Sequence, residues 1–69
     1  MNWKLLKQNL MGKSSAFFFN YNLYEIYDIL REINEISKIE DLETKYRNDP
    51  DFNNWIQGII EKYNIKINA

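Results

Sequence analysis

The sequence predicts an all-α protein, a small bundle or orthogonal array of three to four short helices, and three observations carry this prediction. Apolar residues recur at helical spacing in four successive stretches of the chain. Residues that favour helix N-termini precede these stretches, most clearly in the pair Asp49-Pro50. A chain of 69 residues has room for a single domain, here 1–69, with a small core.

The first helix is expected from Trp3 to about Met11, with Asn2 as its N-cap. Its apolar stripe follows the i, i+3, i+7 pattern and consists of Trp3, Leu6 and Leu10. Residues 1–13 contain no acid but three lysines, namely Lys4, Lys7 and Lys13, so this helix is basic and amphipathic. Gly12 is expected to end it in the left-handed conformation.

The segment 15–36 permits two interpretations. A single helix would have a continuous apolar stripe made of Ala16, Phe19, Leu23, Ile26, Leu30 and Ile33. It would also place Asn22 within that apolar arc. In the second interpretation Asn22 is the N-cap and Glu25 completes a capping box, so the helix covers 22–36. We favour this second interpretation, which leaves residues 15–21 open among helix, loop and strand.

Two further helices are expected in the second half of the chain. Ser37 starts the capping-box pattern Ser-Lys-Ile-Glu and is expected to open a helix that ends at Asn48. Its apolar positions would be Ile39, Leu42 and Tyr46. Asp49 and Pro50 then predict the N-cap and first residue of the last helix.

This last helix is expected to end at Asn64 and to bury a broad apolar face. The face consists of Phe52, Trp55, Ile56, Ile59, Ile60 and Tyr63, with Trp55 assigned to the core. Gly58 lies inside the helix, where glycine costs about 1 kcal/mol relative to alanine unless another helix packs close to it. The tail Ile65-Lys66-Ile67 alternates like a strand but is too short to assign.

The composition argues against catalysis. Without His or Cys the chain lacks the usual nucleophile–base pairs and zinc ligands. The carboxylates Asp28/Glu32 and those of residues 40–43 fall on helix faces that are predicted to meet water, where acids act as solvating groups. We therefore expect a non-enzymatic protein without a cofactor or bound metal.

Eleven aromatic residues are many for so short a chain, and five of them lie between Phe17 and Tyr24. The abundance of Asn, Ile, Lys, Tyr and Phe indicates a low-GC genome, such as that of a bacterium or phage, which explains part of the excess. On a helix over 15–36, Phe17, Tyr21 and Tyr24 would lie opposite the apolar stripe.

That second aromatic face needs a cover. Either the first helix folds back over it, or a partner protein or a second copy binds there. The acids farther along the same face would border such an interface. The candidate interface residues are Trp3, Phe17, Phe18, Tyr21, Tyr24, Asp28, Glu32 and Glu35.

The leading functional hypothesis is a small cytoplasmic regulator or inhibitor that binds another protein or associates with itself. Aromatic side chains would anchor the contact, and acids would steer a basic partner. No apolar run reaches the roughly 20 residues of a membrane span. The alternative is a nucleic-acid-associated protein with a basic N-terminal helix, which the net charge of −1 disfavours. The same helix is short for stable contact with a membrane surface.

Overall fold

The computed structural model describes residues 1–14 and 22–67, and within them the protein is all α-helical. The helices are α1 (Trp3–Ser14), α2 (Leu23–Ser37), α3 (Leu42–Asn48) and α4 (Pro50–Lys62). Helix α1 packs on α2, α2 on α3 and α3 on α4. The predicted small helical bundle is confirmed.

Side-chain caps start the helices, as their sequences predict for three of the four. Asn2 Oδ1 accepts from the Leu5 amide at 3.0 Å. Asn22 accepts from the amides of Tyr24 and Glu25, and Asp49 does the same for Asp51 and Phe52 with Pro50 at the first helical position. These bonds satisfy amide groups that lack partners within the helix. The start of α2 at Leu23 confirms the second interpretation for this helix, whereas residues 15–21 lie outside the described residues.

Two predicted helix boundaries were wrong. Gly12 does not end α1, because its φ is not positive and the helix continues to Ser14. Ser37 does not open α3 but is the last residue of α2, and its hydroxyl donates to the Asn34 carbonyl at 2.7 Å. The N-cap of α3 is Asp41, whose carboxylate accepts from the backbone amide and the hydroxyl of Thr44.

Asn64 ends α4, as predicted, by adopting a left-handed conformation with φ of 50°. The Asn64 amide donates to the Glu61 carbonyl at 3.2 Å, and the Ile65 amide donates to the Ile60 carbonyl at 3.0 Å. This pair of bonds is a Schellman motif. The motif turns the chain back so that Ile65 is buried and Ile67 packs against the core, and neither belongs to a strand.

One hydrophobic core joins all four helices and the tail. Its buried residues are Leu6, Leu10, Ile26, Ile29, Ile33, Leu42, Phe52, Ile56, Ile59, Tyr63 and Ile65. Most of the predicted apolar positions among the described residues are buried in this core or pack against it. Ile39 was expected to pack within a helix, but it lies in the α2–α3 turn and is 81% exposed.

Candidate functional site

The structure separates the residues that the sequence grouped as a candidate interface. Trp3 is half-buried, with its ring 6.0 Å from Phe52 and 5.6 Å from Tyr46, and its indole N–H donates to Glu43 at 3.3 Å. Tyr24 is 82% exposed on the outer side of α2. Phe17, Phe18 and Tyr21 lie outside the described residues.

The three acids of that group lie on different parts of α2. Asp28 and Glu32 line a groove between α2 and α4, together with Trp55. Glu35 lies outside this groove and pairs with Lys38 at 3.0 Å. The structure therefore brings two of the predicted acids next to an indole that the sequence assigned to the core.

We call this feature the α2/α4 groove, and its floor is apolar. It consists of two hollows that meet at Glu32 and Trp55. Trp55 is half-buried, with its ring 5.8 Å from that of Phe52, so one side of the indole packs on the core. The remaining floor is made of Ile29, Ile36, Ile39, Gly58 and Ile59.

The rim of the α2/α4 groove is acidic. Its carboxylates are those of Glu25, Asp28, Glu32, Glu40, Asp49 and Asp51. Among the residues that the structure describes, the basic ones that line it are Lys45 and Lys62, which gives a formal net charge of −4. Such a surface favours cationic groups, and more strongly so where apolar neighbours exclude water.

Ion pairs within the chain neutralise some of these acids and leave others available. Asp28 pairs with Arg31 at 2.7 Å, and Lys45 lies between Asp49 and Glu40. Within residues 1–14 and 22–67, Glu32 and Asp51 take part in no ion pair. Glu32 is thus the acid most open to an external cation at the middle of the groove.

A charged contact closes one end of the α2/α4 groove. Lys62 Nζ lies 2.6 Å from Glu25 Oε1. The hydrogen bond from Lys62 is the main reason that the pKa of Glu25 is lowered from its ordinary value. Burial, and then the negative charge of Glu25, raise the pKa of Tyr63 to about 12. Tyr63 therefore stays neutral in the core, beside this ion pair.

Gly58 gives the groove a stretch of bare helix backbone. It lies inside α4, is exposed, and has no atom within 4 Å of the place where a Cβ would be. Its cost of about 1 kcal/mol relative to alanine is therefore not offset by close packing against another described part of the chain.

The three lysines that suggested nucleic-acid binding differ in their exposure to solvent. Lys4 is exposed on α1, whereas Lys7 and Lys13 are half-buried. Among the described residues, no cluster of acids could hold a metal ion. The same part of the chain contains no helix with the length and apolarity needed to cross a bilayer.

The sequence analysis noted the cost of Gly58 inside its helix but did not predict that Gly58, Ile39 and Trp55 line a groove. One signal was present, because a glycine inside a strongly amphipathic helix needs a reason. That α2 and α4 line the same groove could not be predicted from periodicity, since it depends on how the helices are placed relative to one another.

The chain matches no protein-family model, and comparison with curated proteins and with solved structures found no similar protein.

Proposed function

We propose that this protein is a small, non-enzymatic cytoplasmic regulator or inhibitor that binds a basic surface of another protein through the α2/α4 groove. One observation carries the proposal: a half-exposed indole, Trp55, lies on an apolar floor whose rim has a net charge of −4. Tryptophan is a frequent anchor of protein interfaces, and surrounding charges set the encounter rate and the choice of partner.

Glu32 is central to the proposed contact. It borders both hollows of the groove beside Trp55 and has no cation paired with it in the described chain. A lysine or arginine of the partner would gain an ion pair there without breaking one inside this protein. Anchoring by Trp55 and pairing with Glu32 would then act at the same place.

A peptide-display selection tests this function. The full-length protein is presented to a library of random peptides of about 16 residues, long enough as a helix to span the groove. We expect enrichment of sequences that combine Lys or Arg with apolar residues. Enrichment of acidic or uncharged sequences, or none at all, would count against the proposal.

A matched pair of charge reversals locates the binding site. Glu32→Lys should weaken binding of the enriched peptides by about tenfold or more, because it places a cation against their basic groups. Glu61→Lys changes the net charge equally but lies outside the groove, and it should alter the dissociation constant by less than about twofold. Equal losses for both variants would reduce the effect to overall charge and contradict a specific site.

A further inference from the structure

We infer that the segment bound in the α2/α4 groove is a basic α-helix whose backbone packs closely against Gly58. This inference rests on the proposed function and adds the conformation of the partner and the point of closest approach. Three features support it: the uncompensated glycine, the shape of the groove and the charge of its rim.

Gly58 has no evident role in the folded chain itself. Its backbone is helical, so it does not serve the left-handed conformation for which glycine is often required. No atom comes within 4 Å of its absent Cβ, so no described neighbour demands the space. Close approach of a partner helix would explain a glycine here, since the distance between the axes of packed helices depends on the side chains at the contact.

Gly12 provides a useful contrast. It also lies in a helix with no atom within 4 Å of a Cβ, but it is near the end of α1 and does not line the groove. Helix ends fray, so a glycine costs less there than in the middle of a helix. Gly58 is the one with neighbours suited to binding, because Trp55 and Ile59 lie beside it on the floor.

The shape of the groove favours a helical occupant. The groove runs along α2 and α4, with α3 and the α2–α3 turn at one end. The stretch of α4 from Asp51 to Lys62 is about 17 Å long at 1.5 Å per residue. About three turns of a partner helix would fill it. A peptide that binds as an added β-strand needs a strand edge with free backbone groups, and the described residues include no strand.

The charge of the rim specifies the chemistry of that helix. Its groove-facing side should carry apolar residues for Trp55 and Ile29, with a small residue opposite Gly58. Lysine or arginine on its flanks would meet Glu32 and the partly neutralised Asp28. The expected ligand is thus a basic amphipathic helix with a narrow apolar stripe.

The probe for this inference is the tightest-binding Lys/Arg-rich peptide from the display selection. Its affinity is measured for full-length wild type, Gly58→Leu and Gly12→Leu by titration calorimetry. We expect about a tenfold or greater loss for Gly58→Leu, because leucine fills the space that the partner backbone would occupy. Gly12→Leu should change the affinity by less than about twofold.

A change in the peptide tests the helical conformation independently. Placing proline at its centre should abolish detectable binding, because proline breaks a helix interior. The same proline at its first residue should leave the affinity within about twofold, since a helix tolerates proline in its first turn.

The outcomes separate the inference from the proposed function. If Glu32→Lys abolishes binding while Gly58→Leu and the central proline do not, the groove binds basic segments but not a closely packed helix, and the inference is overturned. If Glu32→Lys binds as well as wild type, the proposed site itself fails. Circular dichroism is used to check that each variant keeps the wild-type helix content. The affinity is also measured for Gly58→Ala, which adds the smallest side chain.

Discussion

The ammonium group of Lys62 lies 2.6 Å from the carboxylate of Glu25, which joins the last turn of α4 to the first turn of α2. Tyr63 is buried in the core next to this pair. The hydrogen bond from Lys62 lowers the pKa of Glu25, and burial together with the charge of Glu25 raises the pKa of Tyr63. The contact ties together the two helices along which the groove runs. Protonation of Glu25 therefore affects stability in acid, and ionisation of Tyr63 affects it in alkali.

Replacing Glu25 by glutamine should remove part of the acid sensitivity of the fold. The Lys62 hydrogen bond lowers the pKa of Glu25 from 4.5, so the carboxylate contributes stability above the unfolded-state value. That contribution is lost as the pH falls below 4.5 and through the lowered folded-state pKa. The melting temperature of Glu25→Gln should therefore be lower than that of wild type at neutral pH, and the difference should become smaller in acid. Thermal melts followed by circular dichroism measure this. A gap that is constant with pH would contradict it, and Glu32→Gln is the control without an ion pair.

Tyr63→Phe should reduce the loss of stability in alkali. Burial raises the pKa of Tyr63 to about 12 from the ordinary value of 10.0. Between these values the unfolded chain loses the phenolic proton and the folded chain keeps it, so the free energy of unfolding falls as the pH rises. Phenylalanine has no proton to lose, so urea denaturation should show a shallower decline over this interval. Tyr24 is 82% exposed, so the free energy of unfolding of Tyr24→Phe should fall with rising pH as that of wild type does.

Gly58→Ala should stabilise the free protein by about 0.5–1 kcal/mol, because alanine favours the helix and its methyl group meets no atom within 4 Å. Gly12→Ala should give a smaller gain of the same sign, since Gly12 is near the end of α1. Chemical denaturation measures both. A loss of stability in Gly58→Ala would mean that the position is packed within the fold after all.

A β-branched residue at position 64 should destabilise the end of α4. The φ of 50° at Asn64 is in the left-handed region, which asparagine tolerates and valine does not. Asn64→Val should lower the free energy of unfolding by about 1–2 kcal/mol. Asn64→Gly should be at least as stable as wild type, because glycine adopts this conformation without steric cost. If both variants had the same stability, the backbone conformation would not be the cause.

Truncating Ile56 should test the core. This side chain is fully buried, and Ile56→Ala should cost about 2–5 kcal/mol, comparable to the whole stability of a small domain. We expect that variant to be largely unfolded at room temperature and Ile56→Val to remain folded. Ile39→Ala makes the same chemical change at an exposed position and should leave the melting temperature almost unchanged.

Local signals in the sequence were reliable where a single cap decided the structure. Asp49-Pro50 and Asn22 each define a helix start through a few bonds between near neighbours, so they could be read directly. The prediction at Ser37 was wrong because Asp41, farther along the chain, can also cap a helix. Asp41 caps α3 instead, and α2 keeps Ser37 as its last residue.

The groove depends on relations that the sequence does not contain. Asp28 and Glu32 were predicted to border an interface, but their neighbour Trp55 belongs to α4, which follows α3 in the chain. Helical periodicity indicates that Trp55 is on an apolar face, not which edge of that face stays open. Of the aromatic segment that first suggested an interface, Phe17 to Tyr24, residues 17–21 lie outside the described residues, so that part of the hypothesis stays a prediction.

Charge is unevenly distributed in this molecule. The charged side chains of its first thirteen residues are all basic, the groove has a net charge of −4, and the whole chain is close to neutral at −1. A distant basic partner would therefore tend to turn this protein so that the groove faces it, while the total charge of −1 adds little attraction. Such an encounter is aligned before the surfaces touch, and added salt would slow association by removing that alignment.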